Sequence, residues 1–311
     1  MKTVVTFYEF VRLSAAAELR DALDFDARQL SLKGTIVVAT EGINGTIAGE
    51  GGAVAYFTEQ LAARREFASM AFRYSSAEID NPVFYRLKVR LKPEIVAFGL
   101  PGISPAQRTG VRVSAEKWNA LLADPQVIVI DARNSYEIAI GTFPGARDPA
   151  TKSFRQFPGY VVAELEPEQH KKVALFCTGG IRCEKASTYM LARGFESVFQ
   201  LDGGILQYLE SVTPADNRWQ GECFVFDQRV SVDDRLAEGS YRQCFACRRL
   251  LDEQALSSGD FVAGVSCPHC VDEHNETRRE AFRERQRQIK LAADRGELHI
   301  GEVATQGSVS R

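Results

Sequence analysis

The fold is decided by one stretch near the middle of the chain, which reads Val173-Ala174-Leu175-Phe176-Cys177-Thr178-Gly179-Gly180-Ile181-Arg182-Cys183. The four apolar residues at its start predict a buried strand, and residues 184–193 have the pattern of a helix. Cys177 would stand between the two, where unpaired N–H groups and the helix dipole favour a thiolate over a thiol. The stretch therefore predicts a nucleophilic sulfur. The alternative is a small buried cysteine in a strand-to-helix turn.

The residues after this cysteine would form an anion-binding loop, which we call the cysteine loop (residues 177–183). Gly179 and Gly180 allow a tight turn, and Arg182 adds a fixed positive charge. We expect Cys177 and Arg182 to be catalytic. The rest of the loop would supply backbone N–H groups, from Thr178, Gly179, Gly180, Ile181 and Cys183.

Length and composition set limits on the protein. Its 311 residues predict two or three domains, and a net charge of -3 argues against wholesale wrapping of nucleic acid. No apolar run approaches the roughly 20 residues of a membrane span, so no membrane partner is expected. The N-terminus begins with a short strand pattern and lacks a signal peptide, which predicts a cytoplasmic protein.

Residues 1–93 predict a ferredoxin-like α+β domain. Strand patterns lie at 3–7, 34–39, 45–48 and 86–91, and helical patterns lie at 15–23 and 53–62. Their order is that of a split βαβ fold. Asn44-Gly45 between apolar runs is typical of a hairpin turn. The alternative for these two residues is that their backbone groups face a ligand.

Residues 94–111 are dense in turn formers and predict a linker. Residues 112–218 then alternate strands (127–130, 173–176 and 197–201) with helices (115–122 and 184–193), so we expect an α/β domain with a parallel sheet. In such folds ligands bind at the carboxyl ends of the strands. Cys177 would lie at such an end.

Residues 219–275 are rich in cysteine and poor in apolar periodicity. Cys244-x-x-Cys247 and Cys267-x-x-Cys270 are separated by nineteen residues, which favours a tetrahedral structural zinc site over a redox pair. The metal would supply folding energy that the small core cannot. Cys223 has no visible partner and is interpreted as structural.

Residues 276–300 predict a charged helix, and residues 301–311 predict a disordered tail. Two interpretations of the helix remain open. It either presents a solvated face or binds the phosphates of a nucleic acid through its basic residues, which are Arg278, Arg279, Arg283, Arg285, Arg287 and Lys290.

Several separated motifs of residues 112–218 resemble rhodanese domains. Besides the cysteine loop they are Asp131-Ala132-Arg133, Gly141-Thr142-Phe143-Pro144-Gly145-Ala146 and Leu201-Asp202-Gly203-Gly204-Ile205. Four residues separate Cys177 from Arg182, as in rhodaneses, whereas tyrosine phosphatases have one more. Thr142 is a departure, because many rhodaneses have histidine there. We expect Asp131 and Arg133 to form a salt-bridged scaffold under the loop.

The resemblance extends beyond this domain. The ferredoxin-like N-terminal domain, the cysteine loop and the paired cysteines together resemble the rhodanese-domain, oxygen-dependent tRNA uridine hydroxylases. Two further segments are shared with that family, Ala39-Thr40-Glu41-Gly42-Ile43-Asn44-Gly45-Thr46 and Arg133-Asn134-Ser135-Tyr136-Glu137. This resemblance implies an oxidoreductase that uses molecular oxygen to convert the wobble uridine of tRNA to 5-hydroxyuridine. It implies that Cys177 is the catalytic cysteine and allows a persulfide on its sulfur.

No Gly-x-Gly-x-x-Gly fingerprint and no facial triad are visible, so we expect no organic cofactor and no iron centre, and the expected metal is the structural zinc. Two other functions compete with hydroxylation. One is a sulfurtransferase that passes persulfide sulfur to an acceptor, and the other is a non-catalytic, zinc-stapled tRNA-binding module. For Cys183, a resolving thiol and a space-filling residue are equally open. Arg182→Ala is expected to lose about 3–4 kcal/mol of transition-state stabilisation and to leave the fold intact.

Overall fold

The computed structural model describes residues 2–77 and 82–295. The predicted disordered tail, residues 301–311, and the end of the predicted charged helix, residues 296–300, lie outside the described residues. Within residues 2–77 and 82–295, no helix is both long and apolar enough to cross a bilayer.

The N-terminal domain is ferredoxin-like, with one five-stranded sheet. Its elements are β1 (Lys2–Phe10), α1 (Ala16–Gln29), β2 (Lys33–Ala39), β3 (Gly42–Gly49), α2 (Gly51–Ala62), β4 (Phe72–Ala77) and β5 (Leu87–Leu91). The strand order is β4-β1-β3-β2-β5. β1 is antiparallel to β3 and β4, and β5 is parallel to β2. Alternate residues of β1, such as Val5 and Phe7, pack in a core with helix residues such as Leu23 and Phe57.

Two details of this domain differ from the sequence-based prediction. The strand that completes the ferredoxin-like pattern beside β1 is β4, which the prediction missed; the predicted fourth strand, β5, is a fifth strand at the opposite edge. β4 has the sequence FRYSSA. Its small polar residues and exposed Tyr74 hide the apolar alternation that marks a half-buried strand.

The predicted hairpin exists, but its turn is not at Asn44-Gly45. The chain turns at residues 40–41, and Asn44 and Gly45 lie inside β3, opposite Val37 and Ile36 of β2. Gly45 is there because the Phe7 ring lies 2.5 Å from where a Cβ would stand. The Asn44 side chain donates to the Ile95 carbonyl at 3.1 Å. Its amide therefore holds the linker between the domains.

The central domain has a parallel sheet of order β6-β10-β9-β7, as predicted. Its elements are β6 (Val111–Val113), α3 (Ala115–Ala123), β7 (Val127–Asp131), α4 (Ser135–Ile138), β8 (Gly141–Thr142), α5 (Phe157–Glu164), β9 (Lys172–Phe176), α6 (Ile181–Ala192), β10 (Ser197–Leu201) and α7 (Gly204–Ser211). The predicted helix at 184–193 is α6, which begins three residues earlier. Separate cores, around Phe157 and Trp118, cover the two faces of the sheet.

The C-terminal segment consists of short strands, one short helix and one long helix. They are β11 (Gln220–Gly221), β12 (Cys223–Phe224), β13 (Ser231–Val232), β14 (Arg242–Gln243), β15 (Leu250–Leu251), α8 (Glu253–Ser257) and α9 (Glu276–Asp294). β11 pairs with β8 of the central domain. Trp219 and Cys223 are buried in the central domain's core around Trp118, so the start of this segment packs as part of that domain. Cys223 has the buried position expected of a structural residue.

Candidate active site and metal centre

Cys177 follows the last residue of β9, a strand that lies between β7 and β10 in the sheet. Residues 177–180 form the turn, and α6 starts at Ile181. The Cys177 side chain is buried, with no exposed fraction. The sulfur therefore lies at the carboxyl end of a central strand and directly before a helix N-terminus, where ligands bind in parallel sheets.

Backbone N–H groups surround the Cys177 sulfur. The Gly180 N–H donates to Sγ at 3.2 Å, and the backbone N–H groups of Arg182 and Cys183 act to lower the pKa of Cys177. The N-cap residue of α6 is Gly180, so no side chain of that residue caps the helix. Burial works to raise the pKa of Cys177. The Cys183 thiol, the Arg182 charge and the N–H groups outweigh burial and lower that pKa from 9.0 to about 6.

Cys183 packs in the same buried cluster as Cys177, and its thiol acts to lower the pKa of Cys177. It is fully buried, and burial together with the neighbouring Cys177 raises its own pKa well above 9.0. Cys183 thus holds its proton while Cys177 loses one. This pairing fits a resolving thiol, and it also fits a residue that only fills the first turn of α6.

Arg182 is occupied by a partner that the sequence did not reveal. Its two terminal nitrogens donate to the Glu137 carboxylate at 2.6 and 2.8 Å, and Nη2 also donates to Thr178 Oγ1 at 3.2 Å. Glu137 is completely buried. Burial works to raise the pKa of Glu137, but the Arg182 charge prevails and lowers it. The sequence does contain one sign of Glu137, because Asn134-x-x-Glu137 has the spacing of a helix capping box. In the structure the Glu137 carboxylate accepts a hydrogen bond from the Asn134 N–H at 3.1 Å.

Asp131 and Arg133 form the buried salt bridge that the sequence predicts. Arg133 donates to both Asp131 oxygens, at 2.9 and 2.6 Å, and both side chains have no exposed fraction. Arg133 also donates to the Gly141 carbonyl at 2.6 Å and lies 5.2 Å from the Trp219 ring centre. Thr142, where many rhodaneses have histidine, donates to Asp131 at 3.0 Å. These contacts tie β7, β8 and the C-terminal segment together.

Two glycines shape the loop. Gly180 has a φ of +95°, and a Cβ there would lie 2.9 Å from the Tyr8 hydroxyl. Gly204, at the start of α7, has a φ of +67°, and a Cβ there would lie 2.4 Å from the Cys177 carbonyl oxygen. The N–H groups of Ile205 and Leu206 donate to the carbonyls of Cys177 and Thr178 at 3.0 and 3.1 Å. Gly179 has open space where its Cβ would be, so only Gly180 of the predicted pair is required by the turn.

The N-terminal domain contributes residues to the same loop, which the sequence could not show. Arg73 of β4 donates to the Gly179 carbonyl at 3.4 Å and to Gln207 at 3.1 and 3.0 Å. The Tyr8 hydroxyl donates to buried Glu184 at 3.4 Å. Burial, with Glu184 next, raises the pKa of Tyr8, so the phenol stays protonated.

Helix α6 is also fixed to other elements by two buried charges. Glu184 accepts from Arg112 at 3.0 and 2.7 Å, and Lys185 contacts Glu94 and Glu41 at 2.6 and 2.9 Å. Lys185 therefore ties the helix to the linker and to the β2–β3 turn. The loop and helix are held from both domains.

Exposed aromatic side chains lie beside Arg182. The Arg182 guanidinium lies 5.9 Å from the centre of the Phe226 ring, and Phe224 contacts both Phe226 and Tyr136 at ring distances of 5.0 and 5.3 Å. Phe226 is 63% exposed and Tyr136 is 44% exposed. We call Tyr136, Phe224 and Phe226 the aromatic rim. Planar ligands could stack on its two exposed rings.

The four predicted metal ligands come together. The Sγ atoms of Cys244, Cys247, Cys267 and Cys270 all lie within 4.8 Å of one another, and three pairs are separated by 4.0, 3.7 and 3.6 Å. Zn–S bonds of about 2.3 Å in a tetrahedron place sulfur atoms about 3.8 Å apart. The donor set therefore fits one zinc ion. His269 does not belong to this group; its carbonyl accepts from Arg249.

The basic residues of α9 are mostly engaged within the chain. Arg283 pairs with Glu276, Arg287 lies 3.7 Å from Glu284, and Arg285 donates to the carbonyls of Phe245 and Gly264 at 3.2 and 2.9 Å. Arg279 donates to the His274 carbonyl at 3.0 Å. This helix packs on the cysteine-rich segment. The contacts favour a structural role for these arginines over phosphate binding.

Comparison with known proteins places these observations in two domain families. Residues 2–95 match the family model described as the UPF0176 acylphosphatase like domain, and residues 114–211 match the model of the rhodanese-like domain. The central domain is a rhodanese domain. The match agrees with the position of Cys177 and indicates a function of the catalytic-cysteine type.

Solved structures resemble single parts of the chain. A protein of unknown function from Rhodopseudomonas palustris, described as a possible tyrosine phosphatase, is 20% identical; the match covers 35% of this chain and 86% of that one, with a TM-score of 0.30. A rhodanese-like domain from Anabaena is 19% identical, with 35% and 78% covered and a TM-score of 0.30. Acylphosphatase from Bacillus subtilis is 14% identical, with 29% and 99% covered and a TM-score of 0.24. Scores this low carry no functional information.

Proposed function

We propose that this protein is a tRNA-modifying enzyme that hydroxylates the wobble uridine at C5, with molecular oxygen as oxidant and Cys177 as nucleophile. The observation that carries the proposal is the composition of the cysteine loop. A buried sulfur with a pKa of about 6 is held by the rhodanese domain, and Tyr8 and Arg73 of the acylphosphatase-like domain lie against the loop. The family resemblance, which spans about residues 1–275, supplies the substrate.

The proposed chemistry uses the Cys177 thiolate to activate uracil. Sulfur adds to C6, and the electron pair of the C5–C6 double bond forms an enolate at C5. The enolate reacts with O₂ to give a C5 hydroperoxide after protonation. Loss of the C5 proton then expels Cys177 and restores the double bond. Two thiols reduce the hydroperoxide to the C5 hydroxyl and water and form one disulfide.

Cys183 is placed to take part in the last step. It packs in the same buried cluster as Cys177 and acts on the pKa of that sulfur, so these two thiols can supply the two electrons and leave a Cys177–Cys183 disulfide. An external thiol would then return both to the reduced form. Because its pKa is about 6, the Cys177 sulfur leaves C6 as a thiolate and needs no proton from Cys183 in that step.

The state of Arg182 argues against phosphatase chemistry. In a phosphatase loop the arginine must offer both terminal nitrogens to the phosphate. Here both donate to buried Glu137. This agrees with the loop length, in which four residues separate Cys177 from Arg182.

Sulfur transfer is the second candidate, because the same N–H groups that stabilise the Cys177 thiolate would stabilise a persulfide anion. A non-catalytic tRNA-binding module is the third. A module of that kind has no need for a thiolate with a lowered pKa or for the buried Arg182–Glu137 pair. Both features favour the two enzymatic functions.

Accurate-mass analysis of tRNA nucleosides separates these functions. The enzyme is incubated with unmodified tRNA, O₂, a thiol and thiosulfate, which supplies the sulfur that a sulfurtransferase would need. Accurate mass is needed because adding oxygen and replacing oxygen by sulfur give nearly equal nominal shifts. Hydroxylation predicts 5-hydroxyuridine with the wild-type protein and none with Cys177→Ser. A thiouridine would establish sulfur transfer instead.

The C6 addition has its own test. Transfer RNA with 5-fluorouridine at the wobble position should form a covalent adduct with the wild-type protein, since the fluorine blocks loss of the group at C5. Cys177→Ser serves as the control and should form none. If an active wild-type preparation forms no adduct, the addition step is wrong. The nucleoside analysis would still decide whether the protein hydroxylates uridine.

A further inference from the structure

The N-terminal sheet has one face that its own helices do not cover. Core residues of β1 such as Val5 and Phe7 point toward α1 and α2, so Thr6 and Tyr8 point to the opposite face. The ends of that face are covered by Val83 and by Ile95. Its middle is polar, with Thr35 exposed and Thr6 and Thr46 half-buried.

One row of residues crosses this open face on all five strands. The pairing register places Arg73 opposite Thr6, Thr6 opposite Thr46, Thr46 opposite Thr35, and Thr35 opposite Lys88. Directly paired residues share a face, so the five side chains lie side by side. We call them the threonine row. Five strands about 4.8 Å apart give it a length of about 19 Å.

The β5 end of the row carries concentrated positive charge. Arg86, Lys88 and Arg90 alternate along the strand, and none of them has an acidic partner among residues 2–77 and 82–295. Burial lowers the pKa of Lys88, and so do the nearby charges of Arg86, Arg90 and Arg248. Arg248 comes from the cysteine-rich segment. These cations contrast with the arginines of α9, most of which have partners within the chain.

The other end of the row reaches the cysteine loop. Arg73 donates to the Gly179 carbonyl, and Tyr8 lies in the next row of the same face, opposite Asn44. That next row also ends in a cation, because Asn44 pairs with Val37 and Val37 pairs with Arg90. The open face therefore runs from a cationic edge at β5 to Arg73 at the other edge, which contacts the cysteine loop.

We propose that the threonine row and the cations of β5 bind the sugar–phosphate backbone of a single-stranded RNA segment and lead it to Cys177. Lysine and arginine neutralise phosphates, and threonine hydroxyls can bond phosphate oxygens or 2′-hydroxyls. The row contains no aromatic side chain, so it contacts the backbone and leaves the bases to be read elsewhere. The inference rests on the proposed function insofar as the RNA is the anticodon loop of a tRNA.

The test measures binding of an anticodon stem-loop RNA to the full-length Cys177→Ser protein at several salt concentrations. Lys88→Gln/Arg90→Gln, which we call the row variant, removes two charges from β5, one at the end of the threonine row and one at the end of the next row. Arg64→Gln/Arg65→Gln is the control pair, which removes the same amount of charge elsewhere in the domain. These two arginines follow α2, on the helix side of the sheet. Lys88→Arg/Arg90→Lys keeps the charge of the row.

The row variant should bind the RNA about tenfold more weakly at about 0.15 M salt. The slope of the logarithm of its binding constant against the logarithm of the salt concentration should be shallower by about 1.4, because each lost phosphate contact with a single strand contributes about 0.7. The control pair and the charge-conserving pair should bind like the parent protein. Equal losses in the row variant and the Arg64/Arg65 variant, or no loss in either, would overturn the proposal. So would a parent protein that does not bind the RNA.

The same variants distinguish this inference from the proposed hydroxylation. If the wild-type protein forms 5-hydroxyuridine and the row variant binds RNA like the parent, the RNA path is wrong and the activity stands. If the binding results are as expected but no 5-hydroxyuridine is formed, the path stands and the activity is wrong.

Discussion

Glu137 binds the guanidinium of Arg182 through two hydrogen bonds of 2.6 and 2.8 Å in the interior of the rhodanese domain. The Glu137 side chain is fully buried and that of Arg182 is 8% exposed. Removing either partner leaves a buried charge without compensation, which commonly costs about 3–5 kcal/mol. The sequence-based expectation that Arg182→Ala would spare the fold is therefore replaced by a prediction of lower stability.

Arg182→Ala should lower the free energy of unfolding by about 3–5 kcal/mol, because Glu137 stays buried and unpaired. Urea unfolding measures this directly. Arg182→Met/Glu137→Leu replaces the pair by apolar side chains and should recover most of the stability but not the activity, since the positive charge near Cys177 is gone. A stable Arg182→Ala single variant would contradict the structural role of the pair.

The pKa of Cys177, about 6, predicts a thiolate at neutral pH. The ultraviolet absorbance of the thiolate, taken as the difference from Cys177→Ser, should rise with a midpoint near that pH. Cys183→Ala removes a thiol that lowers this pKa and should move the midpoint upward. A midpoint near 9 in the wild-type protein would contradict the arrangement of donors.

The same pKa predicts how stability changes with pH. The unfolded thiol holds its proton up to a pH near 9.0, whereas the folded one loses it near 6. The contribution of this group to stability is therefore present above about pH 9 and is lost as pH falls through about 6. The difference in free energy of unfolding between wild type and Cys177→Ser should increase with pH across that window.

Gly179 and Gly180 should respond differently to alanine. Gly180→Ala places a side chain at a φ of +95° and against the Tyr8 hydroxyl, so it should cost at least about 1–2 kcal/mol of stability. Gly179→Ala meets open space and should leave stability unchanged. Gly180→Ala/Tyr8→Phe removes the contact but not the backbone strain, and should recover part of the loss. Equal melting temperatures for the two alanine variants would contradict the loop conformation.

The pattern of residues 173–193 was sufficient to predict the central strand, the cysteine turn and the helix, because all three are local. The spacing of the four terminal cysteines was likewise sufficient to predict their cluster. Both signals depend on residues that are close together in the chain.

The remaining parts of the site depend on tertiary packing. Glu137 reaches Arg182 across 45 positions, and Arg73 reaches the Gly179 carbonyl across 106, so no local pattern joins them. Asn44-Gly45 resembles a turn in sequence, but Gly45 is required by the Phe7 ring and lies in a strand. β4 has too little apolar alternation to be recognised, and its strand identity comes from pairing with β1.

The cysteine cluster predicts one zinc ion per chain. Cys267→Ser should lose the metal, measured by elemental analysis, and should expose the cysteine-rich segment to proteolysis because metal binding supplies its folding energy. Cys223→Ala, a buried cysteine outside the cluster, should retain the ion. Full zinc content in Cys267→Ser would contradict the assignment of ligands.

The aromatic rim should matter for RNA and not for small substrates. Phe226 is 63% exposed and lies 5.9 Å from Arg182, so a base delivered to Cys177 can stack on it. Stacking of one base is worth about 1–3 kcal/mol, which predicts that Phe226→Ala raises KM for tRNA about tenfold. Sulfur transfer from thiosulfate to cyanide, which any rhodanese-type Cys177 persulfide would support, should be unchanged.

Phe25 on α1 provides the matched control, because it is also 63% exposed and lies in the helix layer of the N-terminal domain. Phe25→Ala should leave KM for tRNA unaltered. If Phe226→Ala also loses sulfur transfer from thiosulfate to cyanide, the ring acts by holding the Arg182 side chain in place and not by stacking on a base. An unchanged KM for tRNA would instead remove the aromatic rim from the path of the base.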